Sequence, residues 1–230
     1  MKHTRILVAA IFFGAFAFAG SARAIVVGQI DNFEDGTTQS WANGGAPGAP
    51  PVLNIDTGGP AGMDDNYMQI SAVGGSGPGR FLTAFNRVQW LGNYIALGVT
   101  AIEIDLQNFS KVDLNIRLGF KESTNAGASG YLSAAFSLPA GSGWQHAIFF
   151  INPASMIAVG SPADFNTFFA DNFGEMRIIN EAGTSNLNGD IVTAEMGVDN
   201  IHAVPEPSTV LLTALGVFGF AALRRKKRTA

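Results

Sequence analysis

The chain has 230 residues, 47% hydrophobic and 14% charged, with 18 acidic against 14 basic side chains and a formal net charge of −4 at pH 7. It contains no cysteine, which excludes disulfide stapling, thiol catalysis and cysteine metal sites. Charge is spread unevenly: residues 25–204 hold six of the basic side chains (Arg80, Arg87, Lys111, Arg117, Lys121, Arg177) against 17 of the acidic ones, a net −11, and so acidic a body repels nucleic acid and anionic lipid.

At the start, Lys2 and Arg5 precede an apolar stretch from Ile6 to Phe18, and Ser21-Ala22-Arg23-Ala24 places the small residues Ala22 and Ala24 at positions −3 and −1 of a cleavage after Ala24. This is the pattern of a secretory signal peptide over residues 1–24. The body, 25–203, is then roughly 180 residues, the size of one domain with a sizeable core.

Ile25 to Ile30 is a short strand candidate, followed by an acidic, turn-rich segment from Asp31 to Trp41. Gly44 to Pro51 carries too many breakers for regular structure. Val52 to Asp56 and Tyr67 to Val73 read as strands around a glycine-rich loop that contains Asp64 and Asp65, and Phe81 to Phe85 as another. Ala101 to Leu106 and Val112 to Phe120 alternate apolar and polar residues, the period of a half-buried strand. Tyr131 to Leu138 and Trp144 to Ile151 are rich in strand-forming residues. Pro162 to Ala170 predicts a short helix capped by Ser161, before last strands at Arg177 to Ile179 and Met196 to Ala203. Many short strands with glycine-rich turns predict an all-β, jelly-roll-like β-sandwich.

The far end is ordered in three parts: Pro205-Glu206-Pro207, an uncharged run from Thr209 to Leu223, then Arg224-Arg225-Lys226-Lys227-Arg228. The prolines keep the backbone extended and accessible. The run is about 22 Å long as a helix and, with snorkelling arginines, reaches the lower limit for a hydrocarbon core of about 30 Å. A basic cluster stays cytoplasmic, so the body would lie outside a membrane crossed by a C-terminal hydrophobic helix. Residues 204–230 closely resemble the PEP-CTERM sorting signal of Gram-negative bacteria that make exopolysaccharide. The resemblance implies export across the inner membrane by the secretion machinery, a transient or retained single-pass anchor, and processing by an exosortase.

The body carries a second resemblance. The opening Phe33-Glu34-Asp35-Gly36-Thr37-Thr38-Gln39-Ser40-Trp41 and the closing Val198-Asp199-Asn200-Ile201 are similar to the ends of carbohydrate-binding-module jelly rolls of the galactose-binding-like superfamily. There a structural Ca2+ often links the first and last strands. The resemblance implies such a site at Glu34 and Asp199, joined by Asp64 or Asp65, with oxygen ligands of the kind calcium takes.

Of the aromatics, Trp41 and Trp144 read as core, whereas Trp90 and Tyr94, in the glycine-containing segment Val88 to Gly98, are the better candidates for an exposed sugar-stacking platform. His146 and His202 are far apart in sequence, Glu103 and Asp105 read as a solvated strand face, and no hydrolase or phosphate-loop motif is present. The expectation is a non-catalytic, exosortase-processed envelope or matrix protein that binds exopolysaccharide. The alternatives are a purely structural or adhesive surface protein without a sugar site and, behind it, a glycan-active enzyme.

Overall fold

The structure, a computed structural model, describes residues 24–77, 79–122, 129–170, 173–183 and 186–206. Alternation governs its longest strands. In β6 (Val99–Asn108) Ile102, Ile104 and Leu106 are fully buried, and in β7 (Leu114–Glu122) Leu114, Ile116, Leu118 and Phe120 are. Each strand turns that row inward and most of its polar residues outward, so the two sheets that hold them meet face to face over one core.

The first sheet runs β10 (Gln145–Phe150), β6, β13 (Thr193–Pro205), β4 (Tyr67–Val73), β3 (Leu53–Ile55), with β1 (Ile30–Asp31) also paired to β13. The second runs β11 (Ile157–Val159), β8 (Gly130–Leu132), β7, β12 (Phe173–Asn180), β5 (Thr83–Asn86), β2 (Trp41–Ala42), with β9 (Phe136–Leu138) on β7. All of these pairings are antiparallel. The architecture is the expected β-sandwich, with some bounds moved. Ile25–Val27 does not pair, and the expected strand from Tyr131 to Leu138 is interrupted into β8 and β9. The short helix is α2 (Phe165–Phe169), capped by Asp164 rather than Ser161: the Asp164 side chain accepts the Thr167 N–H at 3.2 Å.

A second helical turn, α1 (Tyr94–Leu97), lies in the segment expected to be loop. The Asn93 side chain accepts the Ala96 N–H, and Gly98, at φ 63, closes the turn in the left-handed region. This turn drives Tyr94 inward among Phe120, Phe169 and Phe173, with ring centroids 5.3–5.9 Å apart.

β13 is irregular where it matters. Its partners step from Asp199↔Asp105 to His202↔Glu103, three residues against two, with Asn200 at φ 49. This bulge keeps Asp199 on the outer face while Ile201 and Ala203 return to the core.

Candidate functional site

On the outer face of the second sheet a cleft of about 390 Å³ opens over β5, β7 and β12, within the range of small-ligand sites. Period-two alternation builds its floor. Through β5 and its flanking residues, Phe81, Thr83, Phe85 and Arg87 line the cleft while Leu82, Ala84 and Asn86 are buried beneath. The register places Arg177 opposite Phe85 and Gly119, so Arg177 stands between a phenylalanine and a glycine.

One wall is segment 186–190. Arg177 Nη1 donates to Leu187 O at 2.8 Å and to Asn188 Oδ1 at 3.0 Å, and Thr83 Oγ1 donates to Asn188 O at 2.7 Å. Leu187 seals this wall by packing with Leu132, Val159 and Ile179. The other wall is the loop around Gly44 and Gly79. Gly79 has φ +74, and a Cβ there would meet Gly45 N at 2.9 Å, so only glycine lets the two loops close on each other. Arg80 Nη2 ties them by donating to Pro47 O at 3.1 Å.

Glu175 organises the cations. Arg87 donates to its Oε2 through Nε at 2.6 Å and through Nη2 at 2.5 Å, and Arg177 Nε donates to Oε1. The Arg87 guanidinium also lies 4.3 Å over the Phe85 ring. Lys121 lines the cleft and forms no ion pair among the described residues. A floor of half-buried rings flanked by fixed donors can stack a sugar ring and bond its hydroxyl or carboxylate groups. None of these residues was singled out from the sequence. The available signal was the spacing Phe81-x-Thr83-x-Phe85-x-Arg87, which a strand displays on one face.

The platform expected at Trp90 and Tyr94 is corrected: both are 0% exposed. Trp90 Nε1 donates to Asp31 Oδ2 at 2.6 Å, and the Tyr94 hydroxyl donates to Trp90 O at 2.9 Å. Burial, with Asp31 adding to it, pushes the Tyr94 phenol well above its usual range. Trp41 is core, as expected. Trp144 is not: it lies half-buried on the outer face of the first sheet against Tyr67, centroids 5.4 Å apart, with Nε1 donating to Gly58 O at 2.9 Å.

The first sheet's outer face also gathers the expected calcium residues. Asp199 is 1% exposed, and its carboxylate is raised to about 7, mainly by burial, with Asp65, Asp105 and Glu34 adding like charge. Glu34 and Asp199 are therefore electrostatic neighbours. Their third partner is Asp65; Asp64 is exposed in a left-handed turn at φ 65. Glu34 Oε1 accepts the Asn66 N–H at 2.9 Å, and Asp199 Oδ1 accepts the Asn200 N–H at 2.7 Å. Among the described residues no group of three or more His, Asp or Glu side chains is disposed to hold a metal ion. Beside Asp199, His146 Nδ1 lies 2.8 Å from Asp105 Oδ1, and both His146 and His202 approach Glu103, at 3.8 and 3.7 Å. Two histidines far apart in sequence thus share one carboxylate, because β10, β6 and β13 are neighbours.

At the ends, Ala24 is exposed, while Ile25 is buried with its N–H donating to Leu91 O at 2.7 Å. Pro205 still pairs with Val99, and the Glu206 N–H donates to Gly98 O at 2.7 Å. Ala22, Pro207, the apolar run and the basic cluster Arg224, Arg225, Lys226, Lys227, Arg228 lie outside the described residues. No helix among the described residues is long and apolar enough to cross a membrane.

Comparison with known proteins bears on both parts of the chain. No curated protein sequence matches it. A family 11 carbohydrate-binding module from Clostridium thermocellum, solved in complex with a beta-1,3-1,4-mixed-linked tetrasaccharide, is similar in fold at 14% identity and a TM-score of 0.51, over 78% of this chain and 97% of that one. The family 11 module of the cellulosomal cellulase Lic26A-Cel5E of the same organism gives 14% identity and 0.52, over 78% and 95%. An exo-beta-agarase gives 8% and 0.50 over 76% of this chain, but this chain spans only 24% of that enzyme. The body shares the jelly-roll sandwich fold of these two modules, and residues 203–226 carry a PEP-CTERM protein-sorting motif.

Proposed function

We propose that this chain is an exported, exosortase-processed cell-envelope or matrix protein whose sandwich binds polysaccharide in the cleft over β5, β7 and β12, without catalysing its breakdown. The sorting motif supports export and processing. The likeness to family 11 modules supports a glycan ligand. The observation that carries the reading is the cleft itself, where Phe81 and Phe85 alternate with Thr83 and Arg87 beside Arg177 and the Asn188 side chain that accepts its bond. A calcium ion at the Glu34–Asp199 edge belongs to the proposal as a stabiliser. It is supported by the like charge of Asp65, Asp105 and Glu34 around Asp199, which a cation would relieve.

The test is titration of the full-length chain with soluble polysaccharides, including a mixed-linkage β-glucan, followed by calorimetry. Phe85→Ala should weaken any binding by roughly tenfold, since stacking on one ring contributes about 0.5–1.5 kcal/mol and the apolar area it buries adds to that, and should leave the near-UV circular dichroism unchanged. No binding by any polysaccharide, or full binding by Phe85→Ala with loss on Trp144→Ala, would remove the cleft from the reading.

A further inference from the structure

The cleft is cationic in an acidic protein. Of the six Lys and Arg in residues 25–204, three, Arg87, Lys121 and Arg177, line this one opening. Glu175 is the carboxylate among them, with a side chain only 6% exposed and held behind the two arginines, so three cations face one anion. Arg117, on the same sheet, adds nothing to the opening: its Nε and Nη1 are used on Glu181 O at 2.9 Å and Ser133 O at 2.7 Å. Acidic groups gather elsewhere, Glu103, Asp105 and Asp199 on the outer face of the other sheet. At physiological salt charges are screened over about 8 Å, so a ligand in the cleft meets the local cations more than the distant carboxylates.

We propose that the polysaccharide taken by this cleft is anionic, carrying the carboxylates of uronic-acid-type sugars, with Arg87 and Lys121 as their receptors. The inference rests on the polysaccharide reading above. Arg87 places Nε and Nη2 on Glu175 and keeps Nη1 unused among the described residues, and its side chain is 59% exposed. Lys121 lines the same cleft and offers an ammonium that is unpaired among the described residues. A neutral glycan would leave the three cations of the cleft sharing the single Glu175 carboxylate where they border the apolar rings of Phe81 and Phe85. A uronate supplies both requirements at once, a ring for the phenylalanines and a carboxylate for the cations, through charge-assisted hydrogen bonds of the kind Glu175 already makes with the same arginine.

The experiment titrates the full-length chain with polygalacturonate, a neutral mixed-linkage β-glucan, dextran sulfate and polyglutamate, at low and at physiological salt. The expected result is polygalacturonate bound roughly tenfold more tightly than the neutral glucan, an affinity that falls with salt, and a loss of roughly tenfold on Lys121→Gln or Arg87→Gln. Among the described residues the Lys121 side chain makes no ion pair that Lys121→Gln would remove, and Lys111→Gln, on an exposed cation outside the cleft, should bind as the parent does. Binding of the neutral glucan with none of polygalacturonate overturns this inference and leaves the proposed function standing. Binding of neither defeats both. Equal binding of dextran sulfate or polyglutamate overturns it in favour of unspecific attraction between charges.

Discussion

Asp31 and Trp90, 59 residues apart in sequence, meet in the core through a 2.6 Å hydrogen bond from the indole N–H to Oδ2. The same oxygen accepts Trp41 Nε1 at 2.8 Å and Gln89 Nε2 at 3.1 Å, and Oδ1 accepts Gln29 Nε2 at 3.1 Å. A carboxylate that is 2% exposed is tolerable because several donors replace its water.

Trp90→Phe keeps most of the volume and removes one donor; the expected loss is about 1–3 kcal/mol. Trp90→Ala adds a cavity and should cost about 3–5 kcal/mol. Urea unfolding measures both, and glycan affinity measured on the folded fraction should not move. A binding loss with unchanged stability would return Trp90 to the ligand site.

Asp199 makes stability depend on pH. Its folded value of about 7 lies above the ordinary 3.8, so between those values the folded state holds the extra proton. Stability therefore falls as pH rises through that window, and the full penalty is present above 7. In EDTA, Asp199→Asn should stabilise the protein by about 2–4 kcal/mol at pH 8 and change little at pH 4. With calcium present, the wild type should gain melting temperature at pH 8 and Asp199→Asn should gain less. No calcium effect in either protein removes the ion from the proposal.

The sorting motif begins inside the last strand. Pro205 pairs with Val99 and the Glu206 N–H is held by Gly98 O, so the proposed processing requires this end to leave the sheet before Pro-Glu-Pro is read. A short Gly-Ser insertion between Val204 and Pro205 should accelerate conversion to the processed form, followed by pulse-chase and gel mobility. Unchanged kinetics would mean that release of this strand end does not limit processing.

Two glycine substitutions should separate rigid from yielding neighbours. A Cβ at Gly130 would run into the backbone carbonyl of Phe120, which its strand pairing holds in place. Gly130→Ala should therefore cost about 3 kcal/mol or more. A Cβ at Gly197 would meet Trp144 Cη2 at 2.8 Å and Phe109 Cε2 at 3.2 Å, both side-chain atoms on an outer face. Gly197→Ala should cost only about 1 kcal/mol and shift tryptophan emission to the red as Trp144 swings outward. Denaturation and fluorescence distinguish the two.

The long strands were legible in the sequence, because period-two alternation in segments such as Val112 to Phe120 is itself the record of a buried and a solvated face, whereas the short β2 and β11 were not. The sorting motif was legible for a related reason: its parts are contiguous, and its meaning lies in their order. Trp90 and Tyr94 were misplaced because the glycines around them suggested an open loop. Asn93 and Gly98 instead close a helical turn, and the indole's partner, Asp31, is remote in sequence.

The cleft was out of reach for that same reason. Arg87, Lys121 and Arg177 come from three strands whose adjacency depends on the pairing of β12 with both β5 and β7. Alternation assigns each residue to a face of its own strand, but it says nothing about which strand lies beside it. By itself the sequence determined the all-β class, the faces of its long strands and the sorting motif. Only the tertiary structure decided which charges converge and which aromatics are buried, since both follow from long-range pairing and packing.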